Sequence, residues 1–485
     1  MRSPEFAKSI EDSNARNIMC MFSDLRGILQ SFTIPAREFL EGDACEGIGF
    51  DGSSIRGFKS IEMSDMVWVP DQSSIRAVPW IEDPMQRSAI VFGDVYEAFG
   101  EKGGGTISNV DPRGYVASKA MKMAQSMGYT AIFGPEIEFF LFESIDPTKL
   151  TYDLWVSPNG GKGDSWGPPR VVPESPEIRP GAALLRPKEA YFRPPPEDTT
   201  NDYRNELAGQ LEKMKVTIEF HHHEVATAGQ VELDFKPKTL IEAGDACYVY
   251  KFAAKNVAAR RGHIATFMPK PVYLDNASGM HTHQSLWKGK PFKGKNVFYD
   301  PDGEYWLSQT ARYYIGGLIE HSKALTALCC PTVNSFKRLV PGFEAPINIS
   351  WSPRNRSALI RVPLYFSSPG AIRCEYRAVD PSCNPYIAFA AMLAAGLDGI
   401  KRKIEPGEPL RQDMYELSPE EKRRFGVGEL PTTLRDALDH LSTDELLIDL
   451  LGDYIFEQFV GLKIEEWNQY CLYVTPWEIM KYLDY

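Results

Sequence analysis

The segment AIFGPEIEFFLFE, residues 131–143, predicts a β-strand that carries two carboxylates, Glu136 and Glu138, two positions apart. Side chains alternate between the two faces of a strand, so both carboxylates share one face and the apolar residues around them share the other. His281-Thr282-His283 and Arg373-Cys374-Glu375-Tyr376-Arg377 repeat this spacing. A sheet wall of carboxylates, imidazoles and guanidiniums makes a poor core and a good site for metal ions and phosphates. The three segments together indicate an enzyme that handles metal-bound polyphosphate.

The composition is typical of a soluble globular protein. The chain has 485 residues, of which 43% are hydrophobic and 24% charged, and this length predicts roughly two to four structural units. The net charge of −12 argues against binding to nucleic acid or to an anionic membrane, because both need a basic surface. No apolar run reaches the ~18 residues of a membrane span, and no signal peptide is evident. Eight scattered cysteines without a CxxC pair predict reduced thiols and a cytoplasmic protein.

Turn signals divide the chain into a β-rich N-terminal unit and a larger mixed unit. Short apolar runs predict strands over residues 16–100, and the glycine-rich segment 100–105 predicts a boundary. Residues 145–200 are rich in Pro and Gly and predict a long irregular insertion. Further predicted elements are helices at 112–127, 202–214 and 245–265 and strands at 216–223, 229–236, 345–351, 358–362 and 371–378.

The C-terminal region is predicted to be helical. Ser442 and Glu445 have the spacing of a capping box, and Thr475-Pro476-Trp477-Glu478 predicts the start of a last helix with Pro at its first position. This last helix is short and rich in apolar residues, and an isolated helix of ~10 residues is unstable in water. We therefore expect it to dock on another surface, with a second subunit as the first candidate.

The sequence contains no P-loop, zinc-protease or nucleophile-elbow motif, so its chemistry must come from other residues. Carboxylates and histidines are the candidates, and they predict a metal site. In HHHEVATAGQVE, residues 221–232, a turn at Ala228-Gly229 would bring Glu232 beside Glu224. Oxygen-rich sites suit Mg²⁺ or Mn²⁺, and six ligands fit two ions with open positions for phosphate and water. The six candidate ligands are Glu136, Glu138, Glu224, Glu232, His281 and Glu375. Each alone has a simpler explanation as a solvated face, and it is their combination that favours a site.

Arginines form the complementary set, because guanidinium groups bind carboxylate and phosphate with two parallel hydrogen bonds. Two metal ions with an arginine cluster are typical of phosphoryl transfer. Structural ion pairs are the alternative explanation for any one of these arginines. Asp51, in FDGSS, is by spacing alone most simply an Asx-turn. The arginines are Arg338, Arg354, Arg356, Arg361, Arg373 and Arg377.

Long motifs in order along the chain resemble glutamine synthetase of the type found in bacteria and archaea, and the resemblance covers nearly the whole chain. It implies an α+β fold of the glutamine synthetase/guanido kinase type. An N-terminal β-grasp-like domain (1–103) would precede a large catalytic domain (104–485) of curved antiparallel sheet flanked by helices, ending in a helical tail (474–485). The motifs are FDGSS (50–54), GPEIEFF (134–140), HHEVATAGQ (222–230), KPV (270–272), NASGMH (276–281), KRLVPG (337–342), RNRSA (354–358) and VTPWE (474–478).

The resemblance also implies a role for each matching position. The implied ligands of a first metal ion are Glu138, Glu224 and Glu232, and those of a second are Glu136, His281 and Glu375. The implied glutamate-binding residues are Asn276, Ala277, Arg338 and Arg377. Those implied for ATP and phosphate are Glu219, His283, Ser285, Arg356 and Arg361. The implied catalytic residues are Asp51, which would bind ammonium in a neighbouring subunit's site, Glu344, on a flap over the reaction centre, and Arg356.

The implied reaction is the ATP-dependent ligation of ammonia to L-glutamate through γ-glutamyl phosphate, with two or more Mg²⁺ or Mn²⁺ ions per site. The implied assembly is a homododecamer of two six-membered rings. A γ-glutamyl-polyamine or other amine ligase is an alternative, as is a non-catalytic sensor or structural protein. Retention of Asp51 and Glu344 favours ammonia. Ala277 stands where many family members have Gly, and Tyr415 falls near the tyrosine that is adenylylated in one subclass, although its surroundings match poorly.

Overall fold

The computed structural model describes residues 2–98, 105–146, 151–154, 162–164, 188–226, 229–342, 345–412, 419–424 and 427–485. These residues form two large β-sheets, an N-terminal one and a central one, with helices packed against both. Most of the segment predicted as a boundary, residues 100–104, lies outside the described residues.

The N-terminal sheet has mixed strands. Its elements are α1 (Pro4–Ser13), β1 (Asn17–Ser23), β2 (Leu29–Pro35), α2 (Arg37–Leu40), β3 (Ile48–Asp51), β4 (Asp65–Pro70), β5 (Arg76–Ala77) and β6 (Ser88–Glu97). The strand order is β2-β1-β6-β4-β3, with β5 also on β6, and β1 and β6 run parallel while the other pairs are antiparallel. Alternate residues of β4 are buried, so one face of this strand packs on the domain core and the other does not.

The central sheet supplies the site, and its first elements alternate with helices. They are α3 (Ser118–Ser126), β7 (Thr130–Asp146), β8 (Thr151–Leu154), β9 (Lys162–Asp164), α4 (Asn201–Lys213), β10 (Ile218–His223), β11 (Gln230–Phe235), β12 (Lys238–Thr239), α5 (Leu240–Arg260), β13 (Ile264–Thr266), β14 (Met280–Lys288) and β15 (Lys295–Asn296). A π-helical turn, Pro112–Ala117, precedes α3.

The later elements are mostly helical. They are α6 (Gln309–Glu320), α7 (Ser322–Cys329), α8 (Ser335–Arg338), β16 (Asn348–Ile349), β17 (Trp351–Pro353), β18 (Ile360–Val362), β19 (Cys374–Tyr376), α9 (Pro385–Arg402), α10 (Pro419–Arg424), β20 (Gly428–Glu429), α11 (Leu434–Leu441), α12 (Glu445–Leu451), α13 (Asp453–Leu472) and α14 (Pro476–Tyr482). The main path of the central sheet is β10-β11-β7-β14-β19-β18-β17, and only β17 and β18 pair in parallel.

The apolar face of β7 packs on helix α5, as the alternation in its sequence predicts. Ile137 and Phe139 are fully buried. The Phe139 ring meets Tyr250 edge-on at 5.9 Å, and the Tyr250 hydroxyl donates to the Ile137 carbonyl at 3.0 Å. The opposite face of β7, which carries Glu136 and Glu138, is therefore left to form the concave wall of the site.

A buried arginine ties the N-terminal sheet to the central unit. The Arg113 guanidinium, in the π-helical turn, contacts Asp71 at 2.5 Å and Asp94 at 2.6 Å on the N-terminal side. Its Nε lies 3.0 Å from Asp245 on α5. Replacing Arg113 would cost about 3–5 kcal/mol, because it leaves the buried Asp245 carboxylate without its charged partner. The network therefore fixes the orientation of the two sheets.

The structure corrects three sequence-based predictions. The predicted helix over 245–265 instead begins at Leu240, where Thr239 and Glu242 form a capping box, and ends at Arg260, so that 264–266 can pair with β7 as β13. The predicted cap at Ser442 is wrong, because Asp444 caps α12 and accepts a hydrogen bond from the Leu447 N–H. The insertion over 145–200 is not wholly irregular, because β8 pairs with both β7 and β9.

The C-terminal helix begins as predicted. Thr475 and Glu478 form a capping box around Pro476. The apolar side chains of this tail are largely exposed in the single chain, and they include Leu472, Tyr473, Val474, Trp477, Ile479, Tyr482, Leu483 and Tyr485. Among the described residues, no helix combines the length and the hydropathy that crossing a bilayer requires.

Candidate active site

Strand register brings the predicted ligands together on the concave face of the central sheet. Glu136 on β7 lies opposite His281 on β14, and Glu138 lies opposite Glu232 on β11. Glu375 on β19 is the partner of His283. Cross-strand partners have Cβ atoms ~5 Å apart, so segments distant in the sequence meet here through hydrogen-bond register alone.

A cavity of about 760 Å³ lies over this wall. Asp51, Glu219, His283, Ser285 and Glu375 do not line it, and Glu344 lies outside the described residues, as does Tyr415. Predicted site residues that do line the cavity are Glu136, Glu138, Glu224, Glu232, Asn276, Ala277, His281, Arg338, Arg356, Arg361 and Arg377.

Three predicted ligands, Glu136, His281 and Glu375, form what we call the arginine-flanked group. Their donor atoms lie within 4.8 Å of one another, and His281 Nδ1 is 3.4 Å from Glu136 Oε2 and 3.9 Å from Glu375 Oε1. Burial lowers the pKa of His281, which favours the neutral imidazole that binds metals. The group thus offers two carboxylates and one imidazole to a cation.

Neighbouring arginines and histidines hold the two carboxylates of this group in the ionised form. Arg377 Nη1 donates to Glu375 Oε1 at 2.5 Å, and Arg361 donates to the other oxygen. Burial raises the pKa of Glu375, but Arg377 and Arg361 outweigh it and bring the pKa to about 2. Burial likewise raises the pKa of Glu136, and the neighbouring His283 and His281 hold it well below its usual value.

A second set, His222, Glu224 and Glu232, forms what we call the hairpin group, because it lies on β10 and β11 and the connection between them. His222 Nε2 is 3.3 Å from Glu232 Oε1, and its Nδ1 is 3.6 Å from Glu224 Oε1. Glu224 N–H donates to the Gln230 carbonyl across the turn, where Gly229 has φ +73°. The sequence does not single out His222, because a run of three histidines shows no preferred face until Glu232 is placed opposite it.

Glu138, predicted as a ligand beside Glu224 and Glu232, lies between the two groups. Its Oε2 accepts hydrogen bonds from Gln230 Nε2 at 3.1 Å and from the Gly279 N–H at 3.0 Å. Its Oε1 is 3.9 Å from His281 Nδ1. One oxygen of Glu138 is therefore fixed by the protein, and the other remains directed toward the site.

The wall around the hairpin group carries more negative charge than the described residues neutralise. Burial and the nearby carboxylates raise the pKa of Glu232 well above its usual value, and the same causes raise that of Asp234. Asp234 pairs with Glu136 across the strands, and its buried Oδ1 has no hydrogen-bond partner among the described residues. Like charges on paired positions are destabilising, so the donor set fits divalent cations. The period-two run Gln230, Glu232, Asp234 is the sequence signal for this extra carboxylate.

The arginines above the wall keep unused hydrogen-bond donors. Arg338 Nη2 donates to the Arg377 carbonyl at 3.1 Å, but Arg338 Nη1 and the Nε atoms of Arg361 and Arg377 are buried without a partner among the described residues. Gly279 allows this crowding, because a Cβ there would lie 2.8 Å from Arg338 Nη2. Buried unpaired donors are costly, so these guanidiniums are suited to bind an anionic ligand.

Other predicted binding residues lie elsewhere. His283 contacts Glu136 and Arg373, and Ser285 accepts a hydrogen bond from Trp287 Nε1 at 3.0 Å. Glu219 is exposed at an irregularity of β10. Asp51 is exposed at the end of β3, where Ser53 donates its N–H at 2.8 Å and its hydroxyl at 2.7 Å to the carboxylate in an Asx-turn. These hydrogen bonds lower the pKa of Asp51.

A mixed N-terminal sheet is joined to a mainly antiparallel sheet that carries two carboxylate–imidazole groups and, among the described residues, arginine donors without a partner. This combination is typical of enzymes that bind metal ions and phosphate groups. Residues 14–98 match the family model of the glutamine synthetase β-grasp domain, and residues 109–482 match that of the glutamine synthetase catalytic domain. The chain belongs to the glutamine synthetase family. The predicted α+β class, with a β-grasp-like N-terminal domain and a curved catalytic sheet, is confirmed.

Relatives of known name match along nearly their whole length. The chain is 68% identical to a glutamine synthetase of Archaeoglobus fulgidus, over 100% of this chain and 98% of the relative. It is 45% identical to a glutamine synthetase of Sulfolobus acidocaldarius, over 99% of this chain and 97% of the relative. Among solved structures, a GmaS/ADP complex superposes with a TM-score of 0.81 at 30% identity, covering 100% of both chains.

Proposed function

We propose that this chain is a glutamate–ammonia ligase, which joins ammonia to L-glutamate and converts ATP to ADP and phosphate. One observation carries the proposal: both carboxylate–imidazole groups contribute side chains to a single cavity, which is also lined by arginines whose buried donors lack a partner among the described residues. Cations on the wall of the cavity and the arginines over it would together bind the two anionic substrates, a triphosphate and a dicarboxylate. The full-length similarity to glutamine synthetases supports the choice of substrates.

Two or more divalent cations, Mg²⁺ or Mn²⁺, would bind at this wall. Glu136, His281 and Glu375 would hold one, and Glu224 and Glu232 would hold another, with the free oxygen of Glu138 directed between them. Bound cations would neutralise phosphate charge during transfer. The mixed oxygen and nitrogen donor set is compatible with both metals.

The first step would be attack of the glutamate γ-carboxylate on the γ-phosphorus of ATP. Arg338 and Arg377, together with Asn276 and the backbone at Ala277, would orient glutamate. Arg338 Nη1 and Arg377 Nε support this role for the arginines, because both are buried without a partner among the described residues. Arg361 and Arg356 would stabilise the charge on the transferred phosphoryl group. Ser285 and Glu219 are proposed for the nucleotide only by resemblance to the family.

The second step would be attack of ammonia on γ-glutamyl phosphate. Asp51 would take a proton from ammonium in the site of a neighbouring subunit, with Glu344 closing over the intermediate to exclude water. The exposed Asx-turn supports this role, because it presents an ionised carboxylate at the surface rather than in the cavity of its own chain.

We propose a homododecamer of two six-membered rings in the cytoplasm, without nucleic-acid or membrane partners. The exposed apolar tail supports assembly, because α14 has little protein to pack on within one chain. Deletion of residues 476–485 is expected to lower the mass of the assembly in sedimentation. An unchanged mass would contradict a docking role for the tail.

Phosphate release from ATP tests the proposed reaction. With Mg²⁺ and L-glutamate present, release is expected to need ammonium and to match the glutamine formed. Release with a polyamine but not with ammonium would move the chain to the amine ligases. No release under any condition would favour a non-catalytic role.

Asp51→Ala separates the two steps. The variant is expected to bind ATP and glutamate normally and to lose glutamine formation by about a hundredfold or more. Ser54→Ala, beside the same carboxylate, is the control for local structure. Near-normal glutamine output from Asp51→Ala would contradict the role in ammonia delivery.

A further inference from the structure

His283 contacts a metal-site carboxylate rather than the cavity. It lies on β14, is buried, and places its Nε2 atom 2.6 Å from Glu136 Oε1. Two residues earlier on the same strand, His281 directs Nδ1 toward the other oxygen of Glu136 at 3.4 Å. The two histidines therefore divide the two oxygens of one carboxylate between them.

The second ring nitrogen fixes the proton of His283. Arg373 Nε donates to His283 Nδ1 at 3.1 Å. Arginine stays protonated in proteins, so Nδ1 must accept and the ring proton must sit on Nε2. Nε2–H then donates to Glu136. Arg373 is itself held by a hydrogen bond from its Nη1 to the Ala371 carbonyl at 2.9 Å.

We propose that His283 is a positioning residue for the cation of the arginine-flanked group, acting through Glu136. By occupying Oε1 it leaves Oε2 as the oxygen that faces His281 and the cation. Hydrogen bonds of this kind orient metal ligands, and their removal typically costs about 10–100-fold in metal affinity. This role differs from contact with the nucleotide. It rests on the proposed use of divalent cations but not on ammonia as the nitrogen source.

The test compares His283→Leu, which removes the donor, with His283→Gln, whose amide N–H can reach the position of Nε2. Lys288→Ala, at the exposed end of the same strand, is the control. Free Mn²⁺ is followed by electron paramagnetic resonance during titration of the full-length protein without nucleotide. ADP affinity is then measured at saturating Mn²⁺, and melting curves report folding.

His283→Leu is expected to weaken one class of Mn²⁺ site by about 10–100-fold and to leave the other unchanged. His283→Gln is expected to recover most of that affinity, and Lys288→Ala to retain all of it. ADP affinity at saturating Mn²⁺ is expected to change less than about threefold in all three.

Two results would overturn the proposal. One is unchanged Mn²⁺ binding in His283→Leu, with or without weaker ADP binding. The other is a loss in folded His283→Gln as large as in His283→Leu, which would show that the donated hydrogen bond is not what matters. If the wild type forms no glutamine, the proposed reaction is wrong, but the Mn²⁺ affinities of the variants can still be compared with that of the wild type.

Discussion

The arginine-flanked group and the hairpin group have the same donors, two carboxylates and one imidazole, but opposite surroundings. Arg361 and Arg377 contact Glu375, and its pKa falls to about 2. Glu232 faces other carboxylates, and its pKa rises well above its usual value. Chemically similar ligand sets are therefore charged differently before any cation binds.

The difference separates what each group contributes to the fold. Glu375 is part of a buried ion network, so removing its charge destabilises the protein even without a cation. Glu232 is a buried like-charge site, so it costs stability until a cation binds.

Among the substitutions, the largest expected effect on stability comes from neutralising Glu375, and the matched change at Glu232 should have little effect. Glu375→Gln leaves Arg361 and Arg377 without their buried partner, and the free energy of unfolding should fall by about 3–5 kcal/mol. Glu232→Gln removes a like charge, so in chelator it should raise the free energy of unfolding by about 1 kcal/mol or less. Urea titration in EDTA measures both. Equal destabilisation by the two variants would contradict the difference in electrostatic surroundings between the arginine-flanked group and the hairpin group.

Addition of metal sharpens the comparison. A ligand at 100 times its Kd stabilises a folded protein by about 2.7 kcal/mol per site, so Mn²⁺ should raise the free energy of unfolding of the wild type by about 5 kcal/mol. Glu232→Gln should keep about half of this gain. Asp439→Asn, an exposed carboxylate on α11, is the control and should keep all of it. A full gain in Glu232→Gln would show that the hairpin group binds no ion.

The smallest effect concerns a histidine that serves structure rather than metal. Burial lowers the pKa of His321, but hydrogen bonds to Asp444 at 2.6 Å and Asp398 at 3.1 Å outweigh it and raise the pKa above 6.5. The stabilisation is therefore fully present below pH ~6.5 and is lost as the pH rises through the higher folded-state pKa.

His321→Asn should thus cost about 1–2 kcal/mol at pH ~6 and less at higher pH, as measured by urea titration. His440→Asn, on the exposed side of α11, is the control. A loss of unfolding free energy in His321→Asn that grows with pH would contradict a charged contact between His321 and the two aspartates.

Sequence periodicity went far in predicting this site. The two-residue spacing placed Glu136 with Glu138 and His281 with His283, and strand register confirms that these residues share one wall. It could not decide between a ligand and a supporting residue on the same face. His283 and His281 are equivalent by spacing, yet one contacts Arg373 and the other lies over the cavity.

The sequence by itself determined the strands that carry the site residues, their apolar and polar faces, the β-rich N-terminal unit and, by its motifs, the family. Local alternation and capping residues carry that information over a few positions. Only the tertiary structure decided that His222 joins Glu224 and Glu232, that Asp234 faces Glu136, and that Asp444 rather than Ser442 caps α12. Those outcomes depend on which strands pair, on their register, and on how buried charges are compensated. Local sequence cannot decide them, because residues far away in the chain set the environment of each charge.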